Sequence, residues 1–378
     1  MIDRRRFLGT SAAIAGAASF GGLPRLAHAA RDSELNILCW EGYNTDDVLQ
    51  PFRDNNPGAT VRAESGTSDP DMINKLRAGE VNVWDLINVN QPWARNQLLP
   101  EGLIKPLDRA RFEPYFDGMM DQFKGPYSLA LDDAGEDLIG MVQRFGPFSF
   151  VVNTDKISKE MAEDQGFKLF LDSAMQGRYG VLTYDNWNIM HMCVTADLNP
   201  FETIDDAGKA AFSEMAATIF AGAKLLTDDL VAMNTALING EIDAYFTGGT
   251  YTASPARFDG QTQIRGITPK SGPINGKSGI AWVEVTSAVN NPDPSPLAED
   301  FLEYVQQPEV CKSVAFAEGT YNPVSQMGSE NVMALFDEDE LDAIQWDTLQ
   351  EEMSRSVEYS IVANYDELNE LYNAAKRG

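Results

Sequence analysis

The stretch Leu-Asn-Ile-Leu-Cys-Trp at residues 35–40 begins the segment that decides the fold of this chain. Its mostly apolar character over so short a length predicts a buried β-strand. Thr45, followed by two aspartates, provides an N-cap and an acidic first turn for a helix that ends near Gly58. The alternation continues with a strand at residues 60–64, a helix from Ser68-Asp69-Pro70 to Gly79, and a strand at residues 84–89.

Alternating strands and helices predict an α/β fold, with a parallel sheet covered by helices on both faces. In such sheets ligands bind at the carboxyl ends of the strands. Trp40-Glu41-Gly42-Tyr43 and Asn90-Gln91-Pro92-Trp93 follow two of these ends. We therefore expect both segments to lie near a ligand.

The same pattern restarts after a polar middle section. No repeat or flexible linker separates the two halves, so we expect two lobes joined by short crossings, a layout suited to hinge closure around a ligand. The predicted strands of the second half are residues 148–153, 179–183, 242–246 and 282–289, and the predicted helices are 204–226, 230–239, a pair within 296–319 and the acidic stretch 338–376.

The first 29 residues are expected to be a cleavable export signal. Arg4-Arg5-Arg6-Phe7-Leu8 precedes a run rich in Gly, Ala and Ser, and Ala27-His28-Ala29 provides a small-residue cleavage site. Paired arginines and a weakly apolar core are typical of the twin-arginine type. The alternative, an N-terminal anchor helix, requires a longer and less glycine-rich run. We expect the mature protein to lie in the periplasm.

Charge and composition restrict the partners. The chain carries 29 Lys+Arg against 57 Asp+Glu, and signal removal takes its net charge from -28 to about −31. Such a chain repels nucleic acid and anionic membranes and attracts small cations. Solubility, or a salty habitat, would also account for this acidity.

The cysteines and histidines do not form a recognisable chemical motif. Cys39, Cys193 and Cys311 are far apart, so we expect free, buried thiols and no disulfide framework. His191 is the one histidine outside the signal, and its methionine neighbours indicate core packing. No metal cluster, phosphate loop or nucleophile elbow is found, so we expect no cofactor, no metal and no catalysis.

Several short motifs, in order along the mature chain, resemble the periplasmic solute-binding proteins of ABC transporters, specifically the spermidine/putrescine-binding branch. Each is weak alone, and their order and spacing carry the resemblance. They are Leu-Asn-Ile-x-x-Trp-x-x-Tyr at residues 35–43, Asp85-Leu86, Phe145-Gly146, Tyr184-Asp185, Gly240-Glu241, Trp282-Val283-Glu284 and Gly319-Thr320-Tyr321-Asn322-Pro323.

The resemblance implies a two-lobed α/β fold, the type II periplasmic binding protein, with a ligand cleft between the lobes. Lobe 1 would comprise residues 30–147 and about 286–330, and lobe 2 residues 148–285 and about 331–378. The implied partners are a polyamine or related organic cation and the permease subunits of an ABC importer, and the class is usually monomeric. Site residues carried over by the resemblance are Trp40, Tyr43, Trp93, Asp185, Trp282, Glu284 and Tyr321.

These residue types suit an amine ligand on independent physical grounds. Methylenes need flat apolar faces, and ammonium groups need carboxylates, because an unpaired buried charge costs several kcal/mol. Trp282 and Glu284 are two apart on a predicted strand and should share one face, so that one stacks while the other pairs. Alternatively, the tryptophans belong to the core and Asp185 only caps a helix.

Four positions depart from the polyamine-binding pattern. Gly42 replaces an acid that moves to Glu41, and Asn188 and Thr247 replace an acid and a tryptophan. Arg144 would repel an amine but could pair with a carboxylate or phosphonate, unless it is structural. A quaternary ammonium, thiamine-like or zwitterionic ligand is therefore an alternative. A secreted hydrolase using Asp185 and Glu284 is a more remote one.

Overall fold

The computed structural model of the protein describes residues 31–378, so the predicted export signal lies outside the described residues. β-Strands occur in both halves of the chain. They are β1 Glu34–Cys39, β2 Thr60–Ser65, β3 Leu86–Asn90, β4 Ile104–Lys105, β5 Met141–Asn153, β6 Tyr179–Leu182, β7 Leu225–Thr227, β8 Ala244–Gly249, β9 Ile264–Ile267, β10 Gly279–Val289, β11 Phe316–Ala317, β12 Thr320–Tyr321 and β13 Ser356–Glu358.

The α-helices connect these strands and cover the sheet. They are α1 Asp46–Asn55, α2 Asp69–Arg77, α3 Gln91–Trp93, α4 Arg109–Phe116, α5 Lys159–Gln165, α6 Asp185–Thr195, α7 Asp206–Gly222, α8 Leu230–Ile238, α9 Thr250–Phe258, α10 Leu297–Tyr304, α11 Pro308–Ala315, α12 Glu330–Met333, α13 Glu338–Ala343, α14 Leu349–Ser354 and α15 Tyr365–Arg377. Shorter turns of other helix types are Glu80–Asn82, Ala94–Leu98, Asp121–Phe123, Ser128–Ala130, Gly166–Leu171, Ser173–Met175 and Ser325–Gly328.

Eleven strands form one mixed sheet with the principal order β2-β1-β3-β10-β5-β8-β6-β7. Strand β1 is parallel to β2 and β3, and β6 is parallel to β7 and β8, as the strand–helix alternation predicts. The expectation of a wholly parallel sheet is wrong, because β10 is antiparallel to both β3 and β5. Parallel pairing would require a crossover connection between neighbouring strands. The two long central strands, β5 and β10, instead run in opposite directions.

Two large apolar cores lie along this sheet, and β5 and β10 pass from one to the other. Phe145 and Val283 belong to the first core, whereas Phe150 and Ile280 belong to the second. A smaller third cluster, which includes Val151, lies beside the second core. The first core also contains residues between 332 and 349, which the predicted boundaries give to lobe 2, and the chain reaches the second core at Val357 and Tyr359.

The C-terminal stretch predicted to be helical contains three helices and, between them, a strand that was not predicted. Residues 338–376 form α13, α14 and α15, and β13 interrupts them by pairing in parallel with the start of β10. Long-range pairing of this kind is invisible to a local pattern. The first half agrees better: Ser68 caps α2 by accepting a hydrogen bond from the Asp71 amide.

The single histidine of the described chain lies in the core, as its neighbours indicate. His191 is fully buried, 2.9 Å from Thr247 Oγ1, and burial lowers its pKa to about 3. Cys39, Cys193 and Cys311 are free and buried, as predicted. Within residues 31–378, no helix combines the length and apolar character needed to cross a bilayer.

Candidate ligand-binding cleft

A cavity of about 690 Å³ lies between the two large cores, at the place where the strands end. This volume is within the range of small-molecule sites, about 300–1,000 Å³. Its walls come from the ends of β1, β2, β3 and β6 and from the middle of β5 and β10. The lining residues are Trp40, Glu41, Gly66, Thr67, Ser68, Asp69, Pro70, Asp71, Asn90, Arg144, Phe148, Thr183, Tyr184, Asp185, Asn186, Trp187, Tyr251, Trp282, Glu284, Asn322 and Tyr365.

The segment after β1 brings Trp40 and Glu41 into the cleft. Gly42 turns the chain there with a φ of 96°, and a Cβ at this position would lie 2.5 Å from the Ala317 Cβ. Glycine is therefore required where the polyamine-binding pattern carries an acid. Glu41 accepts a hydrogen bond of 2.9 Å from the Tyr251 hydroxyl of α9, so the two sides of the cleft touch through this pair.

A buried ion pair occupies the floor of the cleft. Arg144 donates from Nε and Nη2 to the two carboxylate oxygens of Glu284, over 2.8 and 2.9 Å. The Tyr43 hydroxyl donates to Glu284 Oε2 over 2.9 Å, and the guanidinium carbon of Arg144 lies 4.5 Å from the centre of the Tyr43 ring. Because β5 and β10 are paired neighbours, the two charged side chains meet although they are 140 residues apart.

Arg144 and Glu284 compensate each other's charge, so the pair is a closed unit with no net charge. Burial raises the pKa of the Glu284 carboxyl, and the Arg144 guanidinium opposes that rise. Burial alone would lower the pKa of Arg144, but Glu284 raises it above its ordinary value, so the guanidinium keeps its proton. The bidentate geometry satisfies both charges. Glu284 is thus a carboxylate that already has its counter-ion.

A second buried carboxylate, Asp69, lies at the first residue of α2. Its two oxygens accept hydrogen bonds from Asn90, one from the backbone N–H over 3.0 Å and one from Nδ2 over 2.9 Å. Its exposed fraction is 5%. Burial raises the pKa of Asp69 to about 6, while the Asn90 donors lower it.

Asp185 begins α6 on the opposite side of the cavity. Its Oδ1 accepts hydrogen bonds from the Tyr372 hydroxyl over 2.7 Å and from Lys376 Nζ over 3.1 Å. Both partners are on the C-terminal helix α15, so Asp185 connects α15 to the cleft. Its acidic position in the first turn also complements the helix dipole.

Aromatic side chains cover most of the remaining wall. Trp282 lies over Gly146 on the adjacent strand, where a Cβ would be 3.4 Å from the indole ring. The missing side chain at Gly146 therefore gives the indole room to lie flat on the sheet. The other aromatic residues of the lining are Trp40, Phe148, Tyr184, Trp187, Tyr251 and Tyr365.

Six of the eleven predicted site residues line the cavity: Trp40, Glu41, Arg144, Asp185, Trp282 and Glu284. The other five lie outside the cavity lining and contact other residues. Tyr43 supports Glu284, Asn188 donates to the Leu182 carbonyl and to Tyr372, Thr247 pairs with His191, Trp93 donates to the Tyr359 hydroxyl, and Tyr321 packs between Phe258 and Phe316.

Several cleft residues were not singled out by the sequence. The sequence places Asp69 only in a helix start and Phe148 only at the start of a strand, and Tyr184 only in the family motif that precedes the site residue Asp185. Tyr251 and Tyr365 had no distinguishing signal, because each enters the cleft from a helix on the second side. Asp69 could have been found by the rule that ligands lie beyond the carboxyl ends of parallel strands, since it follows β2.

Solved structures provide the comparison with known proteins, since no protein-family model and no curated protein matches the sequence. A Listeria monocytogenes protein described as a candidate spermidine/putrescine ABC transporter has a TM-score of 0.67 at 14% identity, over 91% of this chain and 99% of that one. The substrate-binding protein PotD of Streptococcus pneumoniae gives 0.63 at 15% identity, over 91% and 99%. A periplasmic thiamin binding protein gives 0.58 at 13% identity, over 91% and 96%.

These likenesses establish the fold. The chain has the mixed α/β fold of type II periplasmic binding proteins, which the sequence motifs predicted. The matched proteins are named for different small molecules, spermidine/putrescine in two cases and thiamin in the third. The ligand therefore has to be argued from the cleft of this chain.

Proposed function

We propose that this protein is the extracytoplasmic substrate-binding receptor of an ABC importer and that it captures a polyamine or a related organic cation. The observation that carries the proposal is the lining of the cleft, which contains both aromatic side chains and carboxylates. The fold, shared with substrate-binding proteins named for spermidine/putrescine, is consistent with it.

The charges of the lining favour a cation. Among the described residues it holds the carboxylates of Glu41, Asp69, Asp71, Asp185 and Glu284 and a single guanidinium. That guanidinium is already bound to Glu284 through two nitrogens. Asp185 is paired with Lys376 of α15, so the charges of Glu41, Asp69 and Asp71 remain. They leave a negative field in a low-dielectric cleft, which attracts a cation and repels an anion.

The aromatic faces suit the alkyl parts and the charged ends of such a ligand. A cation over a tryptophan or tyrosine face gains about 0.5–2 kcal/mol. Several such faces, together with carboxylates at the nitrogen atoms, are sufficient for micromolar affinity, about −8 kcal/mol. Closure of the lobes would then remove water from the bound amine, and permease subunits would recognise the closed form.

Two further features complete the proposal. The predicted signal at residues 1–29 would bring the protein to the periplasm by the twin-arginine route, where it would act as a monomer. The ligand is released unchanged, so the protein is not an enzyme. A hydrolase would need Asp185 or Glu284 as a free acid or nucleophile, whereas both are bonded to a basic residue.

The experiment is isothermal titration calorimetry of the purified protein with putrescine, spermidine, thiamine, glycine betaine and glutamate. We expect a polyamine to bind in the micromolar range and glutamate not to bind. Preference for betaine or thiamine would instead identify the quaternary ammonium or thiamine-like alternative, which the aromatic walls also suit. Binding of glutamate alone would refute the cation proposal.

A pair of variants tests whether the aromatic wall provides the affinity. Trp282→Leu removes a cavity-lining indole, and we expect the dissociation constant to rise by about fivefold to thirtyfold. Trp346→Leu is the matched control, because Trp346 packs against the first core outside the cavity lining. Equal effects of the two substitutions on affinity would show that the wall does not hold the ligand.

A further inference from the structure

Asp69 differs from the other buried acid of the cleft in having no counter-charge. Glu284 is paired with Arg144, and the half-exposed Asp185 is paired with Lys376. Within residues 31–378 no ion pair involves Asp69, although its exposed fraction is only 5%. A buried carboxylate without a positive partner is costly, so its position in a ligand cavity requires an explanation.

The contacts that Asp69 does make are neutral. Asn90 donates to both carboxylate oxygens, and these bonds orient the carboxylate at the cavity wall. The N-terminus of the nine-residue helix α2 adds a partial positive charge. Neither supplies a full charge.

We propose that Asp69 is a specificity-determining residue that pairs with a cationic nitrogen of the ligand, and that capture of this cation expels a proton from the Asp69 carboxyl. This inference rests on the proposed function, because it assigns a counter-ion within the same cleft. The balance is simple. The protonated carboxyl loses its proton to solvent, and the carboxylate that remains forms an ion pair with the ligand, whose own protons are unchanged.

The direction of the pH dependence follows from the empty protein. Burial raises the pKa of Asp69 to about 6, so below that pH the empty cleft holds a neutral carboxyl. A bound cation favours the ionised form and lowers this pKa, so binding becomes weaker as the pH falls through 6. Amine nitrogens titrate far above this range and stay charged throughout.

The charged and titratable groups around Asp69 act mainly against its ionisation. Glu284 raises the pKa of Asp69 by Coulomb repulsion, although Arg144 neutralises much of that charge. The Tyr359 hydroxyl, whose pKa is raised by burial, carries no charge at these pH values. The other titratable groups that line the cavity are Glu41, Asp71, Tyr184, Asp185, Tyr251 and Tyr365.

The test is calorimetry of the whole protein with putrescine, spermidine and thiamine at pH 5, 6, 7 and 8, with each titration in two buffers of different ionisation enthalpy. The difference between buffers measures the protons released on binding. For the cation that binds, we expect about tenfold weaker affinity at pH 5 than at pH 7, with nearly one proton released at pH 5 and almost none at pH 8.

Two variants assign the proton. Asp69→Asn should bind the same cation at least tenfold more weakly at pH 7 and should lose both the proton release and the pH dependence. Asp117→Asn, an exposed aspartate at the end of α4 and outside the cavity lining, should behave as the wild type. The wild-type proton count stands on its own if Asp69→Asn fails to fold.

The outcomes separate this inference from the proposed function. Cation binding with no proton released at pH 5, or with release retained in Asp69→Asn, overturns the role of Asp69 and leaves the cation receptor intact. If none of the three cations binds at any pH, the proposed function falls, and the inference falls with it.

Discussion

Glu284 on β10 and Asp69 at the start of α2 are both buried carboxylates of one cleft, but their charges are compensated in different ways. Glu284 receives two bonds from a guanidinium and a third from a tyrosine. Asp69 receives two bonds from an asparagine. The first therefore has a permanent cation, and the second has only neutral donors.

The contrast separates the two tasks of a binding cleft. A carboxylate with a built-in counter-ion has a neutral environment whether or not the cleft is filled, so it shapes the floor without demanding a ligand. A carboxylate without one makes the empty cleft less stable, and a bound cation relieves that cost. Buried charge is thus structural at Glu284 and ligand-directed at Asp69.

The largest expected effect comes from breaking the permanent pair. Arg144→Met leaves the Glu284 carboxylate buried and uncompensated, and we expect the free energy of unfolding to fall by about 3–5 kcal/mol. Urea denaturation at pH 7 without ligand measures it. Arg95→Met is the control, because Arg95 pairs with the exposed Asp133 and should cost less than about 1 kcal/mol.

A double variant distinguishes loss of charge balance from loss of packing. Arg144→Met combined with Glu284→Gln removes both charges, so the two changes should couple and the double variant should be more stable than Arg144→Met alone. If adding Glu284→Gln lowers the stability further instead, the ion pair is not a closed unit, and the contrast with Asp69 is lost.

Substitution of Asp69 should change the free energy of unfolding in the opposite direction to Arg144→Met, and should stabilise the empty protein. The folded-state pKa of Asp69, about 6 against an ordinary value of 3.8, means that its neutral form is favoured by folding. The stability associated with this group is present at low pH and is lost as the pH rises through 6. Asp69→Asn should therefore raise the free energy of unfolding of the empty protein at pH 8 by about 1–2 kcal/mol.

Thermal unfolding of ligand-free wild type and Asp69→Asn at pH 4.5 and pH 8 checks this prediction. At pH 4.5 the carboxyl of the folded wild type is protonated, but the unfolded chain, with the ordinary value of 3.8, is already largely ionised. The variant should therefore give a clearly smaller gain at pH 4.5 than at pH 8. Asp117→Asn, whose carboxyl is exposed, should change little at either pH. The same displacement of the midpoint for Asp69→Asn at both pH values would contradict the idea that the empty cleft is destabilised by an uncompensated charge.

The sequence indicated Glu284 as a site residue but did not single out Asp69. The family resemblance implied Trp282 and Glu284 as site residues, and their spacing on one strand placed them on the same face; Trp40 was expected near the ligand from its place after β1. The pairing of Glu284 with Arg144 could not be predicted, because the partner lies 140 residues away and is brought near by antiparallel pairing of β5 and β10. That pairing also made the sheet mixed, where local alternation predicted a parallel one.

Asp69 and Tyr43 show why residue type alone misassigns roles. Asp69 fits a helix start so well that residue type alone gives it a structural role, and only its place after β2 points to the cavity beside it. Tyr43 fits an aromatic ligand wall by its motif, yet its side chain is buried behind the cleft and serves Glu284. In both cases the deciding fact is which neighbour completes the hydrogen bonding, and that neighbour is distant in sequence.

The smallest expected effect comes from removing the Tyr43 hydroxyl, which donates one of the hydrogen bonds that Glu284 accepts. Tyr43→Phe removes one of three hydrogen bonds to this carboxylate and leaves both Arg144 bonds in place. We expect a loss of about 1 kcal/mol in the free energy of unfolding, with cation affinity and its pH dependence unchanged. Urea denaturation and calorimetry at pH 5 and pH 7 measure these quantities.

Tyr304→Phe provides the comparison for Tyr43→Phe, since that hydroxyl donates to the Val48 carbonyl in the first core, away from the cleft. Similar stability losses in the two variants would mean that the Tyr43 hydroxyl contributes only an ordinary hydrogen bond. If Tyr43→Phe instead releases more protons on binding at pH 5 than the wild type does, Glu284 also titrates on binding. Glu284 would then belong, with Asp69, to the ligand-directed charges.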